Sequence, residues 1–207
     1  MTDYRDRWVL ASGNPGKLNE FRALLEDTGL RIVPQSNFGL DGAAETGASF
    51  VENALIKARH AAASTGLPAI ADDSGLTVDA LDGAPGVRSA RFAGPGADDA
   101  ANVARLLEAI GGIAEDRRTA RFHCVIVALT HAGVPAPLIA HGEWIGRIAL
   151  RPAGSGGFGY DPVFYVPALG ATAAELAPDV KNSVSHRYRA ARRLKALLRS
   201  SGLVGRP

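Results

Sequence analysis

The residues in this 207-residue chain best suited to acid–base or metal chemistry are two adjacent aspartates that follow a short apolar run. The segment reads Ala71-Asp72-Asp73-Ser74-Gly75, and the spacing predicts that it closes a strand running from Pro68 to Ala71. Successive side chains on a strand point to opposite faces, which gives Asp72 and Asp73 different surroundings and different jobs, one facing a ligand and the other bracing the turn. Carboxylates at the carboxyl end of a strand in an open α/β sheet suit Mg²⁺, which keeps several waters and bridges protein carboxylates to phosphate oxygens. The same residues also make an ordinary acidic turn held by Asx hydrogen bonds.

A second segment suited to chemistry is Ser12-Gly13-Asn14-Pro15-Gly16-Lys17. It lies between the apolar run Trp8 to Ala11 and a stretch of helical period. Glycines let a backbone approach a ligand closely, and a helix N-terminus presents amides and a positive dipole end to an anion. With Lys17 added, the segment is a candidate phosphate cradle. It is not a Walker A loop, because two residues rather than four separate its glycines and Leu18 follows the lysine. The alternative is a tight turn with a surface lysine. Glu45 is a candidate second carboxylate for a metal. Asn53 and Lys57, four apart, share one helical face.

The glycine-dense run Gly154-Ser155-Gly156-Gly157-Phe158-Gly159-Tyr160-Asp161-Pro162 carries two aromatics. Phe158 can stack on a flat base and Asp161 can accept a hydrogen bond from a ring nitrogen; alternatively the loop is a hairpin whose aromatics fold back onto the core. Lys181 and the triplet Ser185-His186-Arg187 supply donors for carbonyl or phosphate oxygens. A serine-hydrolase triad is not indicated, since the serine and histidine are adjacent and no nucleophile elbow is present. Arg192, Arg193, Lys195 and Arg199 alternate with leucine and alanine, the pattern of a solvated helix face. His60, His123, His131 and His141 lack metal-ligand spacing, and Cys124 sits within an apolar strand; all five read as structural.

These residues need elements to hold them. Trp8–Ala11 and Arg31–Pro34 read as strands flanking a helix that starts near Lys17, presents Leu18, Phe21, Leu24, Leu25 and Thr28 on one face, and stops at Gly29. Ser49 and Glu52 form a capping-box pattern at the start of a helix ending at Gly66. Leu76 to Leu81 is expected as a separate strand, and Asp98 to Ile110 as an amphipathic helix. Thr119–Thr130 and Leu138–Leu150 are the long strands, with Gly142 and Gly146 suggesting bulges. A strand from Val163 to Val166 and a final helix from about Arg187 to Arg199 complete a single α/β domain.

Composition narrows the function classes. The chain is 46% hydrophobic and 21% charged with a formal net charge of +2, which argues for no nucleic-acid or membrane partner. An RNA-binding role for the basic C-terminal helix is therefore the weakest reading. One cysteine excludes an internal disulfide. No signal-type apolar core and no run of about 18 apolar residues occurs, so a cytoplasmic location is expected.

Taken in order, Ser-Gly-Asn-Pro-Gly-Lys, Glu-Thr-Gly-x-x-Phe-x-Glu-Asn-Ala, Ala-Asp-Asp-Ser-Gly-Leu, Gly-Gly-Phe-Gly-Tyr-Asp-Pro and Ser-His-Arg resemble the signatures of the inosine triphosphate pyrophosphatase family. These are the Ham1 or RdgB-like non-canonical purine nucleoside triphosphate pyrophosphatases, and the resemblance covers about residues 8 to 200. It implies a two-lobed α/β fold with a long mixed β-sheet flanked by helices, an active site in the inter-lobe cleft and a homodimer. It also implies Mg²⁺-dependent hydrolysis of ITP, dITP and XTP to monophosphate and pyrophosphate. Carried onto this chain, Ser12, Gly13, Asn14, Pro15, Gly16 and Lys17 hold the triphosphate with Lys57. Asp73 is the general base and a metal ligand with Glu45, and Ser74 lies beside it on the substrate. Phe158, Gly159, Tyr160, Asp161, Lys181, His186 and Arg187 bind the nucleotide, chiefly its base. The chain departs from the pattern at Ala44, where many relatives are acidic, which leaves a leaner metal shell or one resting on Glu45. It departs again at Tyr188, where a small residue is common, and at Pro15-Gly16. The competing assignments are a Maf-like pyrophosphatase for modified or pyrimidine nucleotides and a non-catalytic nucleotide-binding protein.

Overall fold

The computed structural model describes residues 7–13 and 15–205. Asn14, expected among the phosphate-facing residues, lies outside the described residues, as does the side chain of Pro15. Seven strands form one sheet in the order β2-β1-β3-β4-β5-β6-β7. They are β1 (Arg7–Leu10), β2 (Arg31–Pro34), β3 (Ala69–Val78), β4 (Thr119–Leu129), β5 (Leu138–Ile148), β6 (Phe164–Val166) and β7 (Ala171–Thr172). The helices are α1 (Pro15–Leu25), α2 (Phe50–Thr65), α3 (Asp99–Ala109), α4 (Pro178–Val184) and α5 (His186–Ser200). β1 pairs in parallel with β2 and with β3, whereas β5–β6 and β6–β7 are antiparallel, so the sheet is mixed.

The chain divides into two compact units. The first comprises residues up to 73, 124–142 and from 188 onward; the second comprises 74–123 and 143–187. In the first unit, Phe21 and Leu25 of α1 and Ala190, Ala191, Leu194 and Leu198 of α5 bury their faces with Trp8, Leu10 and Ile126. A separate cluster packs the alanine face of α2, Ala54, Ala58, Ala61 and Ala62, with Val9, Ala69, Ala71 and Val127. Side chains of one carbon let the helix lie close to the strands, which brings the α2 residues at 53 and 57 within reach of β3. The core of the second unit gathers Leu76, Val103, Leu106, Phe122, Trp144, Tyr160 and Phe164.

The helix limits follow from capping chemistry. Ser49 Oγ accepts from the Glu52 N–H while the Glu52 carboxylate accepts from the Ser49 N–H at 2.8 Å, completing the box anticipated from the sequence. Gly66, at φ 67°, closes α2 in the left-handed conformation. After α1 a short 3-10 turn, Glu26–Thr28, precedes Gly29 at φ 72°.

Two expectations are corrected. β3 does not stop at Ala71 and is not followed by a separate strand at Leu76–Leu81; it runs unbroken to Val78 and then forms a 3-10 turn, Asp79–Leu81. The strand that does end there is β1, whose register with β3 is Val9↔Ala69 and Leu10↔Ile70. Asp72 and Asp73 therefore stand just past the carboxyl end of β1, inside a longer strand that keeps β4 as its neighbour. β5 runs from Leu138 to Ile148. A Cβ at Gly146 would meet the Tyr165 carbonyl oxygen at 2.6 Å and the Phe164 ring at 2.7 Å, so the glycine serves the close approach of β6.

The basic face of α5 is tied down. Lys195 and Arg199 pair with Asp27, and Arg193 donates to the His141 carbonyl oxygen. No helix among the described residues is long and apolar enough to cross a membrane.

Because the capping box sets the start of the helix that carries Asn53 and Lys57, Ser49→Ala should lower stability by about 1 kcal/mol. Urea unfolding followed by circular dichroism measures the loss, and an unchanged midpoint would contradict the role given to the cap.

Candidate active site

In the first unit, three segments converge on Asp73. Its Oδ1 accepts from Lys57 Nζ at 3.0 Å and its Oδ2 from Asn53 Nδ2 at 3.2 Å. The same Lys57 ammonium donates to Glu45 Oε1 at 2.7 Å, so one lysine bridges two carboxylates. Asn53 and Lys57 share the α2 face that the i, i+4 spacing implied. The Asn53 amide has only one workable orientation, because its Oδ1 accepts the Gly47 N–H at 2.8 Å and its NH₂ must then point to Asp73. Gly47 permits this: a Cβ there would lie 2.6 Å from Glu52 Cβ and 2.8 Å from Asn53 Oδ1. The glycine thereby presses the Glu45 loop against the start of α2.

The neighbouring carboxylate takes the bracing role. Asp72, its side chain fully buried, accepts from Lys17 Nζ at 2.8 Å and so ties the first turn of α1 to β3. Ser12 and Lys17 are half-buried and Gly13 and Gly16 exposed. A Cβ added at Gly13 would meet nothing within 4 Å, so packing within the protein does not require that glycine.

Electrostatics set the character of Asp73. Burial pushes its carboxyl above the ordinary carboxylate range; Lys57 and the Asn53 hydrogen bond pull it down, while the Glu45 charge adds to the rise. Burial works against the Lys57 ammonium, but the charges of Asp73, Asp72 and Glu45 outweigh it and raise its pKa. Two carboxylates against one ammonium leave the Glu45–Lys57–Asp73 group with one net negative charge.

The second unit contains the Gly154–Pro162 loop. Of its two aromatics, Phe158 is 41% exposed, with the Arg187 guanidinium 4.8 Å and Lys181 Nζ 5.3 Å from its ring centre. Tyr160 does not face outward. It is 4% exposed, its hydroxyl donates to the Ser89 carbonyl oxygen at 2.8 Å, and burial followed by the Asp99 charge raises its pKa. Asp161 is likewise engaged within the protein. It is buried, and its Oδ2 accepts from the Phe158 N–H at 2.8 Å and from Lys181. His186 is 3% exposed and stacks on Phe122, with ring centres 4.8 Å apart and planes 13° off parallel. Tyr160, Asp161 and His186 are buried behind the loop, as is Arg187, while Lys181 is half-buried and Phe158 is the exposed aromatic. Tyr160 and His186 gain from the apolar layer of Phe122, Trp144 and Phe164, whereas Asp161 is held by the Lys181 ammonium and the Phe158 N–H.

Sequence reasoning missed the parts played by Gly47 and Asp99. A glycine before a capping box is the only trace of the first; the second, whose Oδ2 accepts the Gly159 N–H at 2.6 Å, left none beyond an acidic residue in a first helical turn.

The mixed sheet with its flanking helices is the inosine triphosphate pyrophosphatase type of α/β fold. A solved structure of a HAM1 protein from Coxiella burnetii matches it with a TM-score of 0.89 at 52% identity, covering 94% of this chain and 98% of that one. The chain belongs to the Ham1 family, whose model matches residues 8–197. A dITP/XTP pyrophosphatase of Yersinia pseudotuberculosis is 57% identical over 193 residues, 93% of this chain and 98% of its own length. A dITP/XTP pyrophosphatase of Escherichia coli K12 is 56% identical over 192 residues, with the same coverage.

Lys57→Met should leave the buried Asp73 without its ammonium partner and lower stability by about 3 kcal/mol near pH 7.5. The sign with pH follows from Asp73. Its folded-state pKa is raised, so its charge is a liability in full above that pKa, and the liability fades as pH falls towards the ordinary carboxylate value. Loss of Lys57 raises that pKa further, so the deficit in thermal midpoint should shrink on going from pH 8 to pH 5. A deficit that grows as the solution is acidified would contradict the assignment.

Proposed function

We propose that this chain hydrolyses dITP, XTP and ITP to the nucleoside monophosphate and pyrophosphate, with Asp73 as general base. The observation that carries the mechanism is the buried Asp73 carboxyl, held by Lys57 and Asn53 through one oxygen each and pushed up in pKa by burial. A carboxylate shifted in this direction is a stronger proton acceptor than a solvated one. Asp73 takes the proton of the water that attacks the α-phosphorus, and pyrophosphate departs in line. Asn53 and Lys57 hold the carboxylate by one oxygen each, which fixes its orientation. Lys17 and the α1 N-terminus face the polyphosphate, and Lys57 offsets charge near the leaving group.

The donor set fits Mg²⁺. Among the described residues no group of three or more His, Cys, Asp or Glu forms a cage, but Mg²⁺ typically uses one or two carboxylates and completes its shell with water and substrate phosphates. Glu45 and Asp73 would hold it, and their net negative charge favours a cation. When bound, the ion withdraws charge from the phosphate oxygens.

Selection of the base follows from hydrogen-bond polarity. Lys181 and Arg187, beside Phe158, are donors that cannot accept. A 6-oxo purine presents an acceptor to them. Adenine presents a 6-amino group, which leaves donor facing donor, and sites built on hydrogen bonds reject such mismatches strongly.

A nucleotide panel with Mg²⁺, with the released phosphate species identified, tests the assignment. dITP, XTP and ITP should release pyrophosphate, with kcat/KM about a hundredfold or more above those for ATP and for modified pyrimidine triphosphates. Release of orthophosphate, or preference for a pyrimidine, would overturn it. Asp73→Asn should lower kcat by about a thousandfold. Its thermal midpoint should be no lower than that of the parent, because the substitution removes a buried charge. Near-normal turnover would remove Asp73 from the chemistry.

A further inference from the structure

The loop that presents Phe158 is clamped by two carboxylates on successive amides. The Phe158 N–H is taken from within by Asp161, and the Gly159 N–H from outside by Asp99, at 2.8 Å and 2.6 Å. We propose that Asp99 is a positioning residue for base recognition: it holds the exposed Phe158 ring in its binding orientation by anchoring the next peptide to the start of α3. The proposal rests on the reading above that Phe158 stacks on the purine.

Four observations bear on it. First, Asp99 is not the cap of its own helix. Asp98 fills that role, accepting the Ala101 N–H at 2.8 Å, so the carboxylate of Asp99 serves the loop instead. Second, the platform from which Asp99 reaches is rigid. Asn102, one turn into α3 and 2% exposed, accepts the Ala93 N–H at 2.8 Å and donates to the Ala90 carbonyl oxygen. Third, the other end of the tripeptide is tied to that same stretch of chain, since the Tyr160 hydroxyl donates to the Ser89 carbonyl oxygen. Fourth, apart from the Arg187 and Lys181 cations against its ring, Phe158 is held mainly through its backbone. Glycines at φ 73° and 62° flank it, and the ring is 41% exposed, so the backbone hydrogen bonds rather than burial decide where it points.

A ring held in place before the base arrives loses less freedom on binding than one that must be ordered by it. Removing the outer clamp should therefore weaken ground-state binding of the base and leave the chemical step at Asp73 alone, a signature read as a rise in KM with kcat preserved.

The test measures steady-state kinetics with dITP and thermal midpoints for Asp99→Ala, Asp99→Asn, Phe158→Ala and the double variant Asp99→Ala/Phe158→Ala, each as the full chain. Asp99→Ala should raise KM about tenfold, the order expected for one charge-assisted hydrogen bond, with kcat within about twofold. Asp99→Asn, whose amide oxygen still accepts the Gly159 N–H, should recover most of the loss. In the Phe158→Ala background the Asp99 substitution should add nothing, because the ring it positions is gone. Asp99→Ser, too short to reach, replaces Asp99→Ala if the latter is unstable and should show the same rise. An unchanged KM in Asp99→Ala alongside a raised KM in Phe158→Ala overturns the positioning role while sparing the base-stacking reading. An unchanged KM in Phe158→Ala overturns that reading and the proposal with it. Equal, additive losses from Asp99→Ala in both backgrounds would show that Asp99 acts elsewhere.

Discussion

Everything in the first unit turns on one ammonium group shared by two carboxylates. Lys57 reaches Asp73 and Glu45 because α2 lies close to the strands, and it does so because the face it packs is alanine at 54, 58, 61 and 62. A leucine at any of these positions would hold the helix further out and break the bridge before touching a functional residue. Gly47 imposes the matching constraint from the other side, since the Glu45 loop can press on the α2 start only where no Cβ intervenes. Orientation is settled by the same contacts: with the Asn53 oxygen engaged by Gly47, its NH₂ has one place to go. Buried polar networks of this kind specify geometry when every member is satisfied, which is why small residues distant from the carboxylate matter as much as its own neighbours.

In the second unit the same economy appears with backbone amides as the partners. The glycines of the Gly154–Pro162 run suggest flexibility, but at Gly157 the structure requires the residue for space and conformation together. Its φ is 73°, and a Cβ there would fall 2.1 Å from Asp161 Oδ2 and 2.8 Å from Lys181 Nζ. The run is a turn in which Tyr160 and Asp161 face inward and Phe158 is the exposed aromatic. Lys181 serves two purposes at once, neutralising Asp161 and standing over the edge of the exposed ring.

The sequence conveyed the local grammar of this fold well and its depth poorly. Helix starts and stops were legible because they depend on neighbours three or four residues away: Ser49 with Glu52, Gly29, Gly66 and Asp98. The parallel β1–α1–β2 unit was legible for the same reason, as was the division of labour between Asp72 and Asp73, which needs only the two-residue period of a strand. What failed were the strand limits around Asp73, and which side of the glycine-rich loop faces solvent was left open. β3 runs on past Gly75 because β4 supports it there, and nothing within five residues of Asp73 reveals that neighbour. Tyr160, Asp161 and His186 have the chemistry of ligand-binding groups, yet their partners are Ser89, Lys181 and Phe122, up to 71 positions away. α4 was invisible because seven residues do not display a helical period, and β7, with two, displays none at all.

The two neighbouring carboxylates are balanced differently, and the difference sets what each can do. Lys17 and Asp72 match one to one, and with its side chain fully buried Asp72 serves as a tether. Around Asp73 burial is the largest influence and outweighs Lys57, with the Glu45 charge adding to the rise, so the pKa moves up. The fold is less stable for it at neutral pH, because a charge it cannot fully balance must stay buried. That instability is confined to one side chain, braced on two sides by Asn53 and Lys57, and the residues around it are among the least exposed in the chain. A reactive carboxylate needs such a setting: an environment that raises its proton affinity, held by neighbours too well packed to relax and lower it again.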